Sequence, residues 1–111
     1  MGTDKELELL QGTLDLLILK ALSWGPRHGY AIARWIGDRT HDELVIEDGA
    51  LYTALHRLRK RGWVESEWGR SESNRTAKYY QLTPPGRAQL RARTSLWERY
   101  AAAVSRVLST A

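Results

Sequence analysis

From residue 51 the apolar positions fall at Leu51, Leu55 and Leu58, the i, i+4, i+7 rhythm of a helix with one buried stripe. Glu47 and Asp48 place negative charge where the first backbone N–H groups lack partners, and Asp48 is the predicted N-cap. Arg59, Lys60 and Arg61 make a basic last turn, and Gly62 closes it. On a helical wheel with Leu51 at the origin, Gly49, Thr53, His56 and Lys60 point directly away from the stripe. Tyr52 and Arg59 share one flank; Ala50, Arg57 and Arg61 share the other. The period then changes. Residues 63–68 and 77–82 read as two strands around a polar loop, residues 69–76, which is too long for a two-residue turn. The loop carries Arg70 and Arg75, with Lys78 just beyond it.

The flanking stretches have their own patterns. Residues 7–22 are apolar on nearly every side, so a helix there is buried on more than one face, and a second subunit is the expected cover. The Gln11-Gly12 pair breaks this run into an arm and a main helix, with Thr13 as predicted N-cap. Ser23-Trp24-Gly25-Pro26 is a turn. Residues 28–37 make a second short helix with His28 hydrogen-bonding at its start and Tyr30, Ile32, Ala33 and Ile36 facing inward. Leu44-Val45-Ile46 is predicted as a short third strand beside the hairpin. Thr83-Pro84-Pro85 opens a tail helix that nothing interrupts to about Leu108. In it Leu90, Trp97 and Val104 recur every seven residues, with Tyr100 and Val107 interleaved and Arg93 marring the seam near its start.

Helix, helix, short strand, helix and basic hairpin, in that order, predict a mostly α winged helix-turn-helix with a small β-hairpin wing and a C-terminal dimerisation helix. Residues 1–83 form the expected DNA-binding domain and residues 84–111 the dimerisation helix. A helix with small residues at its N-terminal end and cations further along enters a major groove unobstructed. The predicted DNA-binding set is Gly49, Ala50, Tyr52, Thr53, His56, Arg57 and Lys60 on the helix, with Arg70, Arg75 and Lys78 on the wing. Leu10, Leu14 and Leu17, together with Leu90, Trp97, Tyr100, Val104 and Leu108, are the predicted homodimer contacts.

Charge supports the assignment of faces. Residues 1–50 hold 5 Lys/Arg against 9 Asp/Glu, net −4, and residues 51–111 hold 12 against 4, net +8, which together give the chain its +4. An anionic partner for the second half follows. The absence of cysteine excludes disulfides and zinc-finger chemistry. His28, His41 and His56 fall on separate elements without metal-ligand spacing, and no nucleophile–base arrangement or phosphate-cradling loop appears, so neither an enzyme nor a metal or cofactor site is expected. No membrane span or signal peptide is read, and a cytoplasmic protein is the expectation. A winged helix used only for protein contacts is the alternative reading. Trp24, Trp35, Trp63 and Trp68 are assigned to core, cap or strand packing.

Several motifs together resemble the PadR family of bacterial transcriptional regulators: Leu10-Gln11-Gly12-Thr13-Leu14, Gly25-Pro26 with His28-Gly29-Tyr30, Gly49-Ala50-Leu51-Tyr52 with Leu55 and Leu58, and Lys78-Tyr79-Tyr80-Gln81-Leu82-Thr83 with Gly86. The single tail helix resembles the family's short subgroup, whose members are dimers. The resemblance implies a repressor that releases promoter DNA when a small molecule binds or a cellular signal arrives. It places Tyr52 at the family's recognition-helix tyrosine, against the DNA backbone. It also puts Trp97 where some members stack a flat aromatic effector between subunits. Pro84-Pro85 departs from the helix-forming residues more usual there.

Overall fold

The computed structural model describes residues 12–111, so the predicted arm and the Leu10 contact lie outside the described residues. Helix α1 (Thr13–Ala21) starts one residue earlier than a Thr13 cap requires: Gly12, at φ 87°, is the N-cap and Thr13 is the first helical residue. Ile18, Leu19 and Ala21 of α1 are fully buried, and Leu22 follows them inside. Leu14 and Leu17 lie half-buried against the same core, so part of the face expected to need a partner is covered within the chain.

A 3₁₀ turn, Leu22–Trp24, and Gly25 lead to strand β1 (Arg27–His28) and helix α2 (Gly29–Arg39). Ile32 and Ile36 are the buried pair of α2, whereas Tyr30 is 65% exposed, contrary to its predicted inward position. The reason is angular, since Tyr30 lies two residues from Ile32 and therefore about 200° round the helix from it. Helix α3 (Asp48–Lys60) follows, with Leu51, Ala54, Leu55 and Leu58 on its buried stripe. Its N-cap is Glu47, not Asp48, and no side chain caps it. At its end Gly62 adopts φ 80°, the Gly62 amide bonds Arg59 O, and the Trp63 amide bonds Leu58 O. That pair of bonds is the Schellman arrangement the glycine makes possible.

Strands β2 (Val64–Arg70) and β3 (Thr76–Leu82) pair antiparallel from Val64↔Leu82 to Arg70↔Thr76, leaving a five-residue loop that is shorter than predicted. The sheet order is β1-β3-β2, with Arg27 opposite Tyr80 and His28 opposite Tyr79. The third strand is thus Arg27–His28, and Leu44-Val45-Ile46 is irregular. Ile46 instead fills the core at the α2–α3 connection with Leu44 packed against it, while Val45 stays exposed. The Arg27 Nε–H bond to Ala21 O, 2.8 Å, ties β1 to the end of α1.

Helix α4 (Pro84–Leu108) begins as predicted, with Thr83 as N-cap accepting from the Gly86 amide at 3.1 Å and proline at its first two positions. Both prolines sit where a missing N–H costs nothing. Leu90 packs against the core of its own chain. Further along, Leu96, Trp97, Tyr100, Val104, Val107 and Leu108 stand exposed. No helix among the described residues is long and apolar enough to cross a membrane.

Candidate nucleic-acid interface

Burying Leu51, Ala54, Leu55 and Leu58 turns the opposite side of α3 to solvent, and Gly49, Ala50, Thr53, His56 and Lys60 are all exposed there. A Cβ added at Gly49 would meet nothing within 4 Å, so the fold does not require glycine at that site. The small residues at the start of α3 leave room that an approaching surface could fill.

Tyr52 leaves this face and leans over the start of α2. A Cβ on Gly29 would come within 2.5 Å of the Tyr52 hydroxyl oxygen, so the glycine of His28-Gly29-Tyr30 is what admits the ring. His28 caps α2, its Nδ1 accepting from the Ala31 amide at 3.2 Å. Its ring stacks with Tyr30 and meets the edge of Tyr79. Tyr80 lies beneath, and burial, then the neighbouring Tyr52, raise its phenol above the usual tyrosine range, with Arg59 opposing. Tyr80 is therefore a neutral core phenol at any physiological pH.

The wing faces α2 across an open cleft of about 1200 Å³. Tyr30, Arg34 and Tyr52 line one side, and Trp68, Arg75 and Lys78 the other. Arg34 was not singled out from the sequence. Its Nη1 donates to the Tyr30 hydroxyl at 2.9 Å, an i, i+4 pair turned outward because each residue lies about 200° round the helix from Ile32. Trp68 and Trp24 are 67% and 69% exposed, so neither serves the packing role expected of it. Each instead lies beneath a lysine: Lys78 Nζ is 5.7 Å from the Trp68 ring and Lys20 Nζ 5.4 Å from that of Trp24.

The predicted cations do not all stand free. Arg70 Nη1 donates to the Asn74 backbone carbonyl at 3.1 Å, while the Tyr79 hydroxyl donates to Arg70 O, so this arginine braces the wing tip. Arg75 is exposed and forms no ion pair among the described residues. Of the predicted DNA-binding cations, Arg57 is the one held in an ion pair among the described residues. Its Nε and Nη2 donate to both carboxylate oxygens of Asp15, which is only 5% exposed, and Arg61 approaches the same carboxylate at 3.8 Å. The hydrogen bond to Asp15 raises the Arg57 pKa against the opposing effect of burial. Arg57 thus joins α3 to α1 across 42 residues of sequence. Nothing in the local pattern marks that partner.

Of the predicted subunit contacts, Leu14, Leu17 and Leu90 are half-buried inside the chain, whereas Tyr100 and Leu108 are more than half exposed. Trp97 and Val104, 39% and 38% exposed, continue the Leu90 stripe beyond the body of the domain. The Trp97 and Tyr100 ring centroids are 6.3 Å apart.

The chain matches the Transcriptional regulator PadR-like family over residues 18–92. It is 31% identical over 90 residues to an uncharacterized protein of Lysinibacillus sphaericus, covering 81% of this chain and 83% of that one. Among solved structures it is similar to a PadR family transcriptional regulator from Eggerthella lenta, with a TM-score of 0.77 and 33% identity over 91% of this chain and 86% of that one. A transcriptional regulator from Clostridium thermocellum gives a TM-score of 0.78 at 31% identity, covering 86% of this chain and 93% of the other.

Proposed function

The chain belongs to the PadR-like family of transcriptional regulators, which are not enzymes, and from that premise we propose that it is a dimeric, cytoplasmic repressor of promoter DNA. The observation that carries this reading is the uncovered outer face of α3, small at its start and cationic at Lys60, beside a wing cleft holding Arg75 and Lys78. In this reading α3 enters a major groove. The wing and the Tyr30–Arg34 edge of α2 flank the adjacent phosphates. Residues 1–83 bind the DNA and residues 84–111 pair the subunits, setting two recognition helices one DNA turn, about 34 Å, apart.

The test is to recover the DNA fragments that the purified protein retains and then to measure affinity for them against salt. Lys60→Ala and Arg75→Ala should each flatten the log–log slope by about one unit, as loss of one phosphate contact does. Arg57→Ala should instead leave that slope unchanged and lower stability. Breaking a buried ion pair from one side costs about 3–5 kcal/mol, and here roughly 2 kcal/mol is expected because Arg57 is part-exposed and Arg61 stays near Asp15. Wild-type affinity that is insensitive to salt would favour a module for protein contacts.

Release is assigned to a small flat aromatic molecule lodged against Trp97. What supports this is a half-exposed indole midway along α4 with a second aromatic, Tyr100, beside it. Two such pairs facing each other across a dimer axis would stack a planar ligand, each aromatic pair adding about 0.5–1.5 kcal/mol beyond area burial. A ligand that prefers one separation of the tails over another weakens DNA binding, and DNA weakens the ligand reciprocally. Titration of planar aromatic compounds, followed by tryptophan fluorescence, should give affinities at least about tenfold weaker for Trp97→Ala. Equal affinities would remove Trp97 from the mechanism.

A further inference from the structure

The end of α3, the start of the wing and the start of α4 meet at one residue, Trp63. Its carbonyl accepts from the Thr83 amide at 3.1 Å, and the preceding Gly62 carbonyl accepts from the Thr83 hydroxyl at 2.6 Å. That same Thr83 oxygen caps α4 through the Gly86 amide. A Cβ on Gly86 would lie 2.0 Å from the Trp63 carbonyl oxygen, so α4 is pressed directly onto the backbone that ends α3. The indole is half-buried against the core and carries two guanidinium groups, Arg61 at 5.2 Å and Arg93 of α4 at 4.8 Å from the ring centroid. Arg61 also reaches Asp15 on α1.

We infer that Trp63 and Arg93 are positioning residues that fix the angle between the tail helix and the recognition helix, and so set the half-site spacing the dimer accepts. The inference rests on the dimeric, DNA-binding reading above and adds to it the device that holds the geometry. Its scale follows from lever length. Fourteen residues separate Gly86 from Tyr100, about 21 Å of helix. A tilt of roughly 10° at the junction would displace the far end by about 3.6 Å, which is close to one base-pair step of ~3.4 Å. Discriminating adjacent spacings therefore needs this joint held to within about 10°. Backbone hydrogen bonds alone allow bending. A side chain of α4 seated on an indole at the end of α3 restrains it.

The experiment uses the full chain as the dimer. Affinities are measured for operators whose half-sites are respaced by one base pair in either direction, and for an isolated half-site. Separately, without DNA, distances between spin labels on the two α3 helices are measured through His56→Cys, which is clean because the protein has no cysteine. Wild type should discriminate its preferred spacing by about tenfold or more, and Arg93→Ala should reduce this to about threefold or less, the scale of one lost cation–π contact. Half-site affinity should stay within about twofold, and the label distances should broaden. Arg93→Lys should restore most of both, whereas Trp63→Leu should reproduce Arg93→Ala if it folds. A folded, dimeric Arg93→Ala with wild-type spacing preference and distance width overturns the inference. A wild type that is monomeric or does not bind DNA overturns the dimeric, DNA-binding reading, and the inference with it.

Discussion

Replacing Trp97, Tyr100 and Val104 together by glutamate should leave the winged-helix fold intact and convert the protein to a monomer. Affinity for paired half-sites should fall by about 10²–10⁴-fold, the usual gain from making a second binding event intramolecular. The stability half of this expectation comes from burial. None of the three residues belongs to the core, whose largest fully buried side chains are Ile18, Leu19, Leu22, Ile32, Ile36, Leu51, Leu55, Leu58 and Val64. The dimer half comes from what the stripe lacks. Leu90 is satisfied on its own chain, but Trp97 and Val104 continue the same line past the body of the domain. In the proposed dimer the same stripe of a second copy covers them, and three like charges there would repel. Sedimentation at micromolar concentration reads the first outcome and operator titration the second. A triple variant that stays dimeric would move the subunit contact elsewhere.

The elements most legible in the sequence are those whose signals are local. The α3 stripe, its Gly62 stop and the Thr83-Pro84-Pro85 start of α4 each depend on residues within a few positions, and the structure places all three as read. Strand β1 is two residues long and exists only because β3 lies beside it, so no periodicity could announce it. Leu44-Val45-Ile46 carried a strand composition, yet burying Ile46 in the α2–α3 connection satisfied it. The candidate site divides the same way. Exposure of Gly49, Thr53, His56 and Lys60 followed from the wheel, because the opposite face had to be buried. Arg57 shares a flank with Ala50 and looked equally free, until Asp15 of α1 took its guanidinium. The cation count of a helix thus overstates its free charge wherever a buried acid from elsewhere meets it.

Gly86→Ala should destabilise the folded protein by about 1–2 kcal/mol net, although helix propensity taken alone favours the alanine by roughly 0.5–1 kcal/mol. The added Cβ would sit 2.0 Å from the Trp63 carbonyl oxygen and 2.9 Å from its carbon. Those are backbone atoms, and the oxygen already accepts from the Thr83 amide, so no rotamer change relieves the clash. The first turn of α4 must lift away, lengthening the Thr83 bonds to Gly62 and Trp63. Overpacking of this kind costs about 1–3 kcal/mol, which outweighs the propensity gain. The matched control is Gly49→Ala, where a Cβ meets nothing within 4 Å and α3 should gain a few tenths of a kcal/mol to about 1 kcal/mol. Thermal unfolding at one fixed protein concentration, so that any subunit association contributes equally, should therefore move the two variants in opposite directions, with Gly86→Ala down by about 5–10 °C. Gly49→Ala should at the same time lose DNA affinity, because its new methyl group stands on the face of α3 proposed to enter the groove. If Gly86→Ala instead unfolds at or above the wild-type temperature, the α3–α4 junction is yielding enough to admit a methyl group, and a joint that yields cannot hold half-sites to a single base-pair step.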